Sequence, residues 1–97
     1  MYRYITNGVA EMIPVQLHVF LWHLYDEVKL NNEYDYLQVF KIKKINECNC
    51  NLSIIHDQEY PSYTATYQIL IDHNLTDIKV YIIENEEYAL MLLASEY

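Results

Sequence analysis

The chain has 97 residues, 53% of them hydrophobic, and a formal net charge of −8 from 14 acidic and 6 basic side chains. This length suits a single domain over residues 1–97, and the apolar fraction excludes a disordered chain. The negative charge disfavours direct binding to nucleic acid, because phosphate backbones repel it. The single glycine, Gly8, excludes a glycine-rich phosphate-binding loop.

The sequence also predicts where the protein resides. No apolar run approaches the roughly 18–20 residues that cross a bilayer. Residues 1–12 lack the charged stub and apolar run of a secretory signal. We therefore expect a cytoplasmic protein without membrane association, in which Cys48 and Cys50 are free thiols.

The first predicted elements are a short strand and the main helix. The strand covers Tyr2–Ile5, and Thr6–Gly8 follows it as a turn. The helix covers Ile13–Leu30, because Pro14 suits the first helical position and the Asn31–Asn32 pair allows a left-handed cap. Its core-facing side chains recur every three or four residues: Leu17, Phe20, Leu21, Leu24 and Val28.

A second apolar stripe on this helix consists of Val15, Val19 and Trp22. A surface helix normally carries one such stripe, so two stripes indicate cover on more than one side. The second cover is either part of the same domain or another subunit. For a homodimer we expect Val19 and Trp22 at the interface, since tryptophan is enriched at binding hot spots.

The remainder of the chain reads as strands separated by polar turns at residues 46–51, 72–74 and 85–87. The predicted strands are Asp35–Ile45, Leu52–His56, Tyr63–Ile71, Ile78–Ile83 and Tyr88–Ala94. Alternation in the first of them assigns Tyr36, Gln38, Phe40 and Ile42 to one face and Leu37, Val39, Lys41 and Lys43 to the other. The predicted fold is α+β, with one long N-terminal helix packed on a twisted, mainly antiparallel sheet of about five strands.

No pattern in the sequence predicts a metal site, a cofactor or a catalytic residue. Cys48 and Cys50 lack the second ligand pair of a structural zinc site. His18 and His23 are five residues apart on the helix, which is the wrong spacing for joint chelation. His56, with two carboxylates close by in sequence, is the best acid–base candidate, and it supports an alternative in which the domain binds a small ligand or is an enzyme.

Three segments combine carboxylates with tyrosines near the predicted ends of strands. Their acidic residues are Glu33 and Asp35, Asp57 and Glu59, and Glu84, Glu86 and Glu87. Tyrosine favours interfaces, because it offers a large contact area and a polar tip. We therefore expect a binding surface for a protein partner with a basic surface. The alternative is that these are ordinary solvated turns of an acidic chain.

Sequence blocks along the whole chain resemble one small family. They are Arg3–Thr6 before Gly8, Ile13-Pro14 with Leu21-Trp22, Asp35–Phe40, His56–Glu59 with Pro61 and Tyr63, Ile78–Ile83, and Met91–Ala94 before Glu96-Tyr97. This pattern resembles the family catalogued as domain of unknown function 960, found in staphylococci, related Gram-positive bacteria and their mobile elements. The resemblance implies one intact domain of bacterial or phage origin. It brings no activity and no catalytic residues.

The resemblance also implies a genetic context. Genes of this family lie on mobile cassettes and phages, beside small acidic proteins that inhibit host DNA enzymes. We therefore expect a non-enzymatic protein-binding or regulatory domain of a mobile genetic element, which acts as an acidic inhibitor by occluding the basic surface of a nucleic-acid enzyme. The alternatives are the domain centred on His56 and a structural accessory subunit that folds only in a complex.

Overall fold

The structure, a computed structural model, describes residues 1–45, 51–71 and 75–97. Strands and helices in these ranges are β1 (Tyr2–Ile5), α1 (Asn7–Met12), α2 (Val15–Asn31), β2 (Leu37–Lys44), β3 (Asn51–Gln58), β4 (Tyr63–Leu70), β5 (Ile78–Glu84) and β6 (Tyr88–Leu93), followed by a 3₁₀ turn over Ala94–Glu96. The α+β class is as predicted.

The strands form one mixed sheet in the order β1-β6-β5-β2-β3-β4. Neighbouring strands are antiparallel, except that β1 runs parallel to β6. Strand β5, in which Ile78, Val80, Tyr81, Ile82 and Ile83 are apolar or aromatic, lies inside the sheet between β6 and β2. The two edges of the sheet are therefore β1 and β4.

Two parts of the predicted architecture were wrong. The sheet has six strands among the described residues, not about five, because β1 joins it beside β6. The long helix is not the N-terminal element, since β1 and the short helix α1 precede it. Helix α1 begins where a turn was predicted, because the Thr6 hydroxyl accepts a hydrogen bond from the Val9 amide at 3.2 Å and caps the helix.

The ends of α2 differ slightly from prediction. Pro14 is the N-cap, and the helix begins at Val15. Asn32 caps the C-terminus in an extended conformation, with φ of −144°, rather than in the left-handed region. The turn predicted at residues 72–74, and residues 46–50 of the turn predicted at 46–51, lie outside the described residues, while Asn51 is the first residue of β3.

Helix α2 packs on one face of the sheet, which we call the covered face. Its predicted core residues Leu17, Leu21 and Val28 are buried. Below them, β2 and β3 bury alternate side chains, as the period of two requires. The covered face of the sheet includes Gln38, Phe40, Ile42, Leu52, Ile54, His56, Val80, Ile82, Ala89 and Met91.

The opposite face of the sheet, which we call the open face, is only partly covered. Leu37, Val39, Ile83 and Leu90 are half-buried there. Tyr97, which follows the 3₁₀ turn, packs edge-on against Tyr81 of this face with ring centroids 5.2 Å apart. None of the helices among the described residues has the length and apolar character needed to cross a membrane.

Candidate functional site

Strand register brings the three acidic segments to one end of the sheet. Leu37, at the start of β2, pairs with Ile83 near the end of β5, and Val39 pairs with Asp57 near the end of β3. The segments around the start of β2, the end of β3 and the β5–β6 turn therefore lie together. We call this region the acidic end, and its carboxylates are those of Glu33, Asp35, Asp57, Glu59, Glu84, Glu86 and Glu87.

Glu84 is held inside the domain. Its carboxylate accepts hydrogen bonds from the Tyr25 hydroxyl, from Lys29 Nζ at 2.8 Å and from the Tyr34 hydroxyl at 2.7 Å. The Glu84 side chain is 12% exposed. Burial raises the pKa of Glu84, but the three donors outweigh it and hold the pKa below its usual value. Glu84 therefore fastens β5 to the end of α2.

The donors to Glu84 are themselves packed together. Lys29 Nζ lies 4.9 Å from the Tyr25 ring centroid and 5.2 Å from the Tyr34 ring centroid. Burial, together with the bond to Glu84, raises the pKa of Tyr25, and the bond to Glu84 raises the pKa of Tyr34. All of these groups satisfy one another, which makes the cluster structural.

Asp35 and Asp57 also bond within the domain. The Asp35 carboxylate accepts the backbone amide of Tyr60 at 3.2 Å, which ties the start of β2 to the β3–β4 turn. The Asp57 carboxylate accepts the Thr64 hydroxyl at 2.7 Å and lies 3.6 Å from Lys41 Nζ. These two carboxylates are therefore engaged in holding the acidic end in shape.

The other four carboxylates of the acidic end, on Glu33, Glu59, Glu86 and Glu87, are different. All four residues are exposed. Within residues 1–45, 51–71 and 75–97, their carboxylates accept no hydrogen bond and form no ion pair. Asn85 Oδ1 accepts the Glu87 amide at 2.8 Å and so fixes the turn that presents two of them. These carboxylates are available to a partner.

An apolar hollow adjoins the acidic end on the open face. It has a volume of about 310 Å³ and is lined by Tyr36, Ile83, Glu84, Asn85, Tyr88 and Leu90. Tyr36 is 58% exposed, and Tyr60 on the β3–β4 turn is 83% exposed. The proximity of Tyr97 raises the pKa of the Tyr36 hydroxyl. Exposed tyrosines beside a hollow form an amphipathic surface next to the carboxylates.

His56, the predicted acid–base candidate, lies in the core. It is 1% exposed and stacks on Phe40, with ring centroids 4.4 Å apart. His56 Nε2 lies 2.6 Å from Gln38 Oε1, while Nδ1 has no hydrogen-bond partner among the described residues. Burial lowers the pKa of His56 to about 4, and the negative charge of Asp57 opposes this shift. His56 is therefore a neutral residue of the core.

Gln58 is a positioning residue that sequence reasoning missed. Its Nε2 donates to the carbonyl oxygens of Glu33 at 3.1 Å and Pro61 at 2.7 Å. Its Oε1 accepts the amide of Asp35 at 3.1 Å and Nε2 of Gln38 at 2.8 Å. The side chain thus links the loop after α2 to the β3–β4 turn. The sequence carries one indication of this role: Gln38 and Gln58 each stand at a position of their strand where the alternation otherwise places a core-facing side chain.

Val19 and Trp22, the predicted self-association residues, do not share one environment. Val19 is 64% exposed on the outer side of α2. Trp22 is half-buried, with the Arg3 guanidinium 5.0 Å above its ring and the Tyr25 ring 5.6 Å away. Part of the second apolar stripe is therefore covered by β1 of the same chain. The structure does not test the self-association of Val19 and Trp22, which stays a prediction.

The predicted thiols Cys48 and Cys50 lie outside the described residues. Among residues 1–45, 51–71 and 75–97, no three His, Cys, Asp or Glu side chains are grouped so that they could hold a metal ion. His18 is bonded within the domain, with Nε2 3.3 Å from the Val9 carbonyl oxygen.

The fold and the acidic end define a small α+β domain with a helix on one face of a mixed sheet and a polar, tyrosine-bearing surface at one end. The chain belongs to the family described as "Staphylococcal protein of unknown function (DUF960)", whose model matches residues 2–96. This result confirms the resemblance seen in the sequence.

The chain is also similar to a solved structure, described as the crystal structure of the protein of unknown function from Enterococcus faecalis. The match covers 99% of this chain and 90% of that chain, with a TM-score of 0.81 and 18% sequence identity. At this identity the similarity shows a shared fold alone. No curated protein matches the chain.

Proposed function

We propose that the protein is a non-enzymatic, regulatory protein-binding domain of a mobile genetic element, and that its acidic end covers a basic surface of a partner protein. The observation that carries this proposal is the gathering at one end of the sheet of an apolar hollow and four exposed carboxylates that have no bonded partner in the described part of the chain. The partner class is a protein whose basic surface is built to bind nucleic acid, because such a surface presents lysine and arginine to phosphates, and carboxylates can take the place of those phosphates.

The chemistry of the acidic end suits long cationic side chains. The aliphatic stem of a lysine or arginine packs on apolar and aromatic surface while its charged head seeks a carboxylate. Here Tyr36 and Leu90 offer that apolar surface, and Glu86 and Glu87 lie on the turn beside it. Binding would occlude the partner's basic groove, and the net charge of −8 would speed encounter at low salt.

The surface is also pre-organised. Gln58 and Asp35 bridge the two loops that carry Glu33 and Glu59, and Asn85 fixes the turn that carries Glu87. A surface that is ordered before binding loses less conformational entropy in the complex. The anchored carboxylates thus support the exposed ones rather than bind a partner themselves.

The experiment is affinity capture from host lysate with a salt gradient, using two variants of equal charge. Glu86→Gln with Glu87→Gln removes two carboxylates from the acidic end. Glu11→Gln with Asp77→Asn removes two exposed carboxylates away from the acidic end, one on α1, which follows the end of β1, and one just before the start of β5. Both variants change the net charge from −8 to −6.

We expect a basic protein that elutes from the original chain as salt rises, because screening weakens exposed charge pairs. The acidic-end variant should release it at clearly lower salt, and the control variant should behave as the original chain does. Equal weakening by both variants would show that net charge alone attracts the protein, and retention of nothing at low salt would remove the proposal.

A further inference from the structure

Strand β4 is an unprotected edge of the sheet. It has eight residues, YTATYQIL, and pairs only with β3 among the described strands. One side of its backbone therefore has no strand to bond. Natural sheets usually blunt such an edge with a charged residue, a proline, a bulge or a very short strand. β4 has no charged residue and no proline, whereas the other edge, β1, has only four residues.

The surroundings of β4 leave room for another strand. On the helix side, Tyr63 and Tyr67 line a hollow of about 440 Å³ together with side chains of α2, including Phe20 and Leu24. On the open face, Leu70 is 76% exposed at the end of the strand. The side chains of an added strand would fill this hollow on the helix side and cover Leu70 on the open face.

We propose that β4 pairs antiparallel with β4 of a second copy, so that two sheets join into one. A second copy fits this edge because β4 itself carries no charge, so the paired strands of two chains of net charge −8 place no like charges opposite each other. In the antiparallel arrangement, the acidic end of one copy and Lys43 and Lys44 of the other copy lie at the same end of the joined sheet. The two acidic ends, which repel each other, are at opposite ends of it.

The side chains of β4 suit self-pairing. Residues directly opposite each other in an antiparallel pair point to the same face of the sheet. In a symmetric pair of β4 strands, the two-fold axis therefore passes between one residue and the same residue of the other copy. With Thr66 at the axis, Ala65 of each copy lies opposite Tyr67 of the other, which matches a small side chain to a large one. Tyr63 then lies opposite Ile69, an aromatic–aliphatic pair of the kind that stabilises sheets.

The first test measures solution mass as a function of concentration for the original chain and two variants that each add one lysine. Thr66→Lys places a charge at the proposed axis, on a residue that is exposed in the single chain. Val19→Lys places the same charge on the outer side of α2, where Val19 is 64% exposed.

We expect the original chain to shift from 11.7 kDa towards twice that mass as its concentration rises. Thr66→Lys should weaken the association at least about tenfold, because two lysines at the axis repel and interrupt the edge. Val19→Lys should associate like the original chain, because pairing through β4 is an alternative to the interface predicted from the sequence at Val19 and Trp22. A chain that stays at 11.7 kDa at every concentration, or one that only Val19→Lys dissociates, overturns the proposal.

Hydrogen exchange identifies the interface independently of mass. In a single copy, alternate amides of β4 bond to β3 and the others face outward, where they exchange rapidly. Pairing should slow exchange of the outward amides as concentration rises, and Thr66→Lys should abolish that slowing. If these amides exchange rapidly in a sample that is dimeric by mass, the copies join elsewhere and the proposal fails. The outcome is separate from that of the capture experiment, which concerns Glu86 and Glu87.

Discussion

The two faces of the sheet are built from the same strands but reach different degrees of burial. On β2, Phe40 is fully buried beneath α2, while its neighbour Val39 on the open face is half-buried. A single layer of helix can cover only one face, and the last residues of the chain cover part of the other. The comparison separates the core from the exposed surface: the covered face carries the core, and the open face and its acidic end carry the exposed side chains on which the proposed binding depends.

The largest expected effect tests this difference on one strand. Phe40→Ala should lower the free energy of unfolding by about 3–5 kcal/mol, because it removes a buried aromatic side chain and leaves a cavity. Val39→Ala, one residue away on the open face, should lower it by less than about 1 kcal/mol. Denaturant titrations of both variants measure the two values. Equal losses would mean that the open face is covered as fully as the helix side.

The next largest effect concerns His56, the titratable side chain buried within the covered face. Burial lowers the pKa of His56 to about 4, whereas an unfolded histidine titrates near 6.5. The unfolded chain therefore takes up a proton first, so stability is fully present above pH 6.5 and is lost as pH falls towards 4. The loss should reach roughly 3 kcal/mol across this window. Denaturant midpoints measured from pH 7.5 to 4 test it.

The matched control for this window is His56→Gln, which retains a donor for Gln38 but does not titrate. Its unfolding free energy should be nearly flat between pH 6.5 and about 4.5. The bonded carboxylate of Glu84, whose pKa is lowered, titrates further down and does not enter this range. If the variant loses stability as steeply as the original chain, other groups cause the acid sensitivity.

The sequence predicts the two faces well, because a strand's burial follows a local period of two. The alternation from Leu37 to Lys43 on β2 and the stripe of Leu17, Leu21 and Val28 on α2 are confirmed. Tyr36, which was assigned to the face of Gln38 and Phe40, was predicted wrongly, because it precedes β2 and lines the hollow on the open face. Helix α1 was missed because its start depends on one capping hydroxyl, that of Thr6, in a segment that also reads as a turn. The parallel pairing of β1 with β6 joins opposite ends of the chain, which local periodicity cannot indicate.

Sequence-based prediction meets the same limit at the acidic end. The residue types and their segments could be read from the sequence, but the distinction between anchored and exposed carboxylates could not. It depends on Tyr25 and Lys29 of α2 reaching Glu84 from more than fifty residues away. The burial of His56 against Phe40 likewise results from register between two strands rather than from any motif.

The smallest expected effect separates the two kinds of carboxylate within the acidic end. Glu84→Gln removes the charge that Lys29, Tyr25 and Tyr34 surround, and should lower the free energy of unfolding by about 1–2 kcal/mol, since bonds to a charged group are stronger than neutral ones. Glu86→Gln alters an exposed side chain without a bonded partner among the described residues and should change it by less than about 0.5 kcal/mol.

Thermal or denaturant unfolding at neutral pH measures both variants, and affinity capture then assigns their roles. Glu84→Gln should lose stability yet retain the basic partner, because its carboxylate faces α2. Glu86→Gln should keep stability and release the partner at lower salt. The reverse pattern would mean that Glu84 contacts the partner and Glu86 stabilises the fold. The roles inferred for the bonded and the exposed carboxylates would then be exchanged.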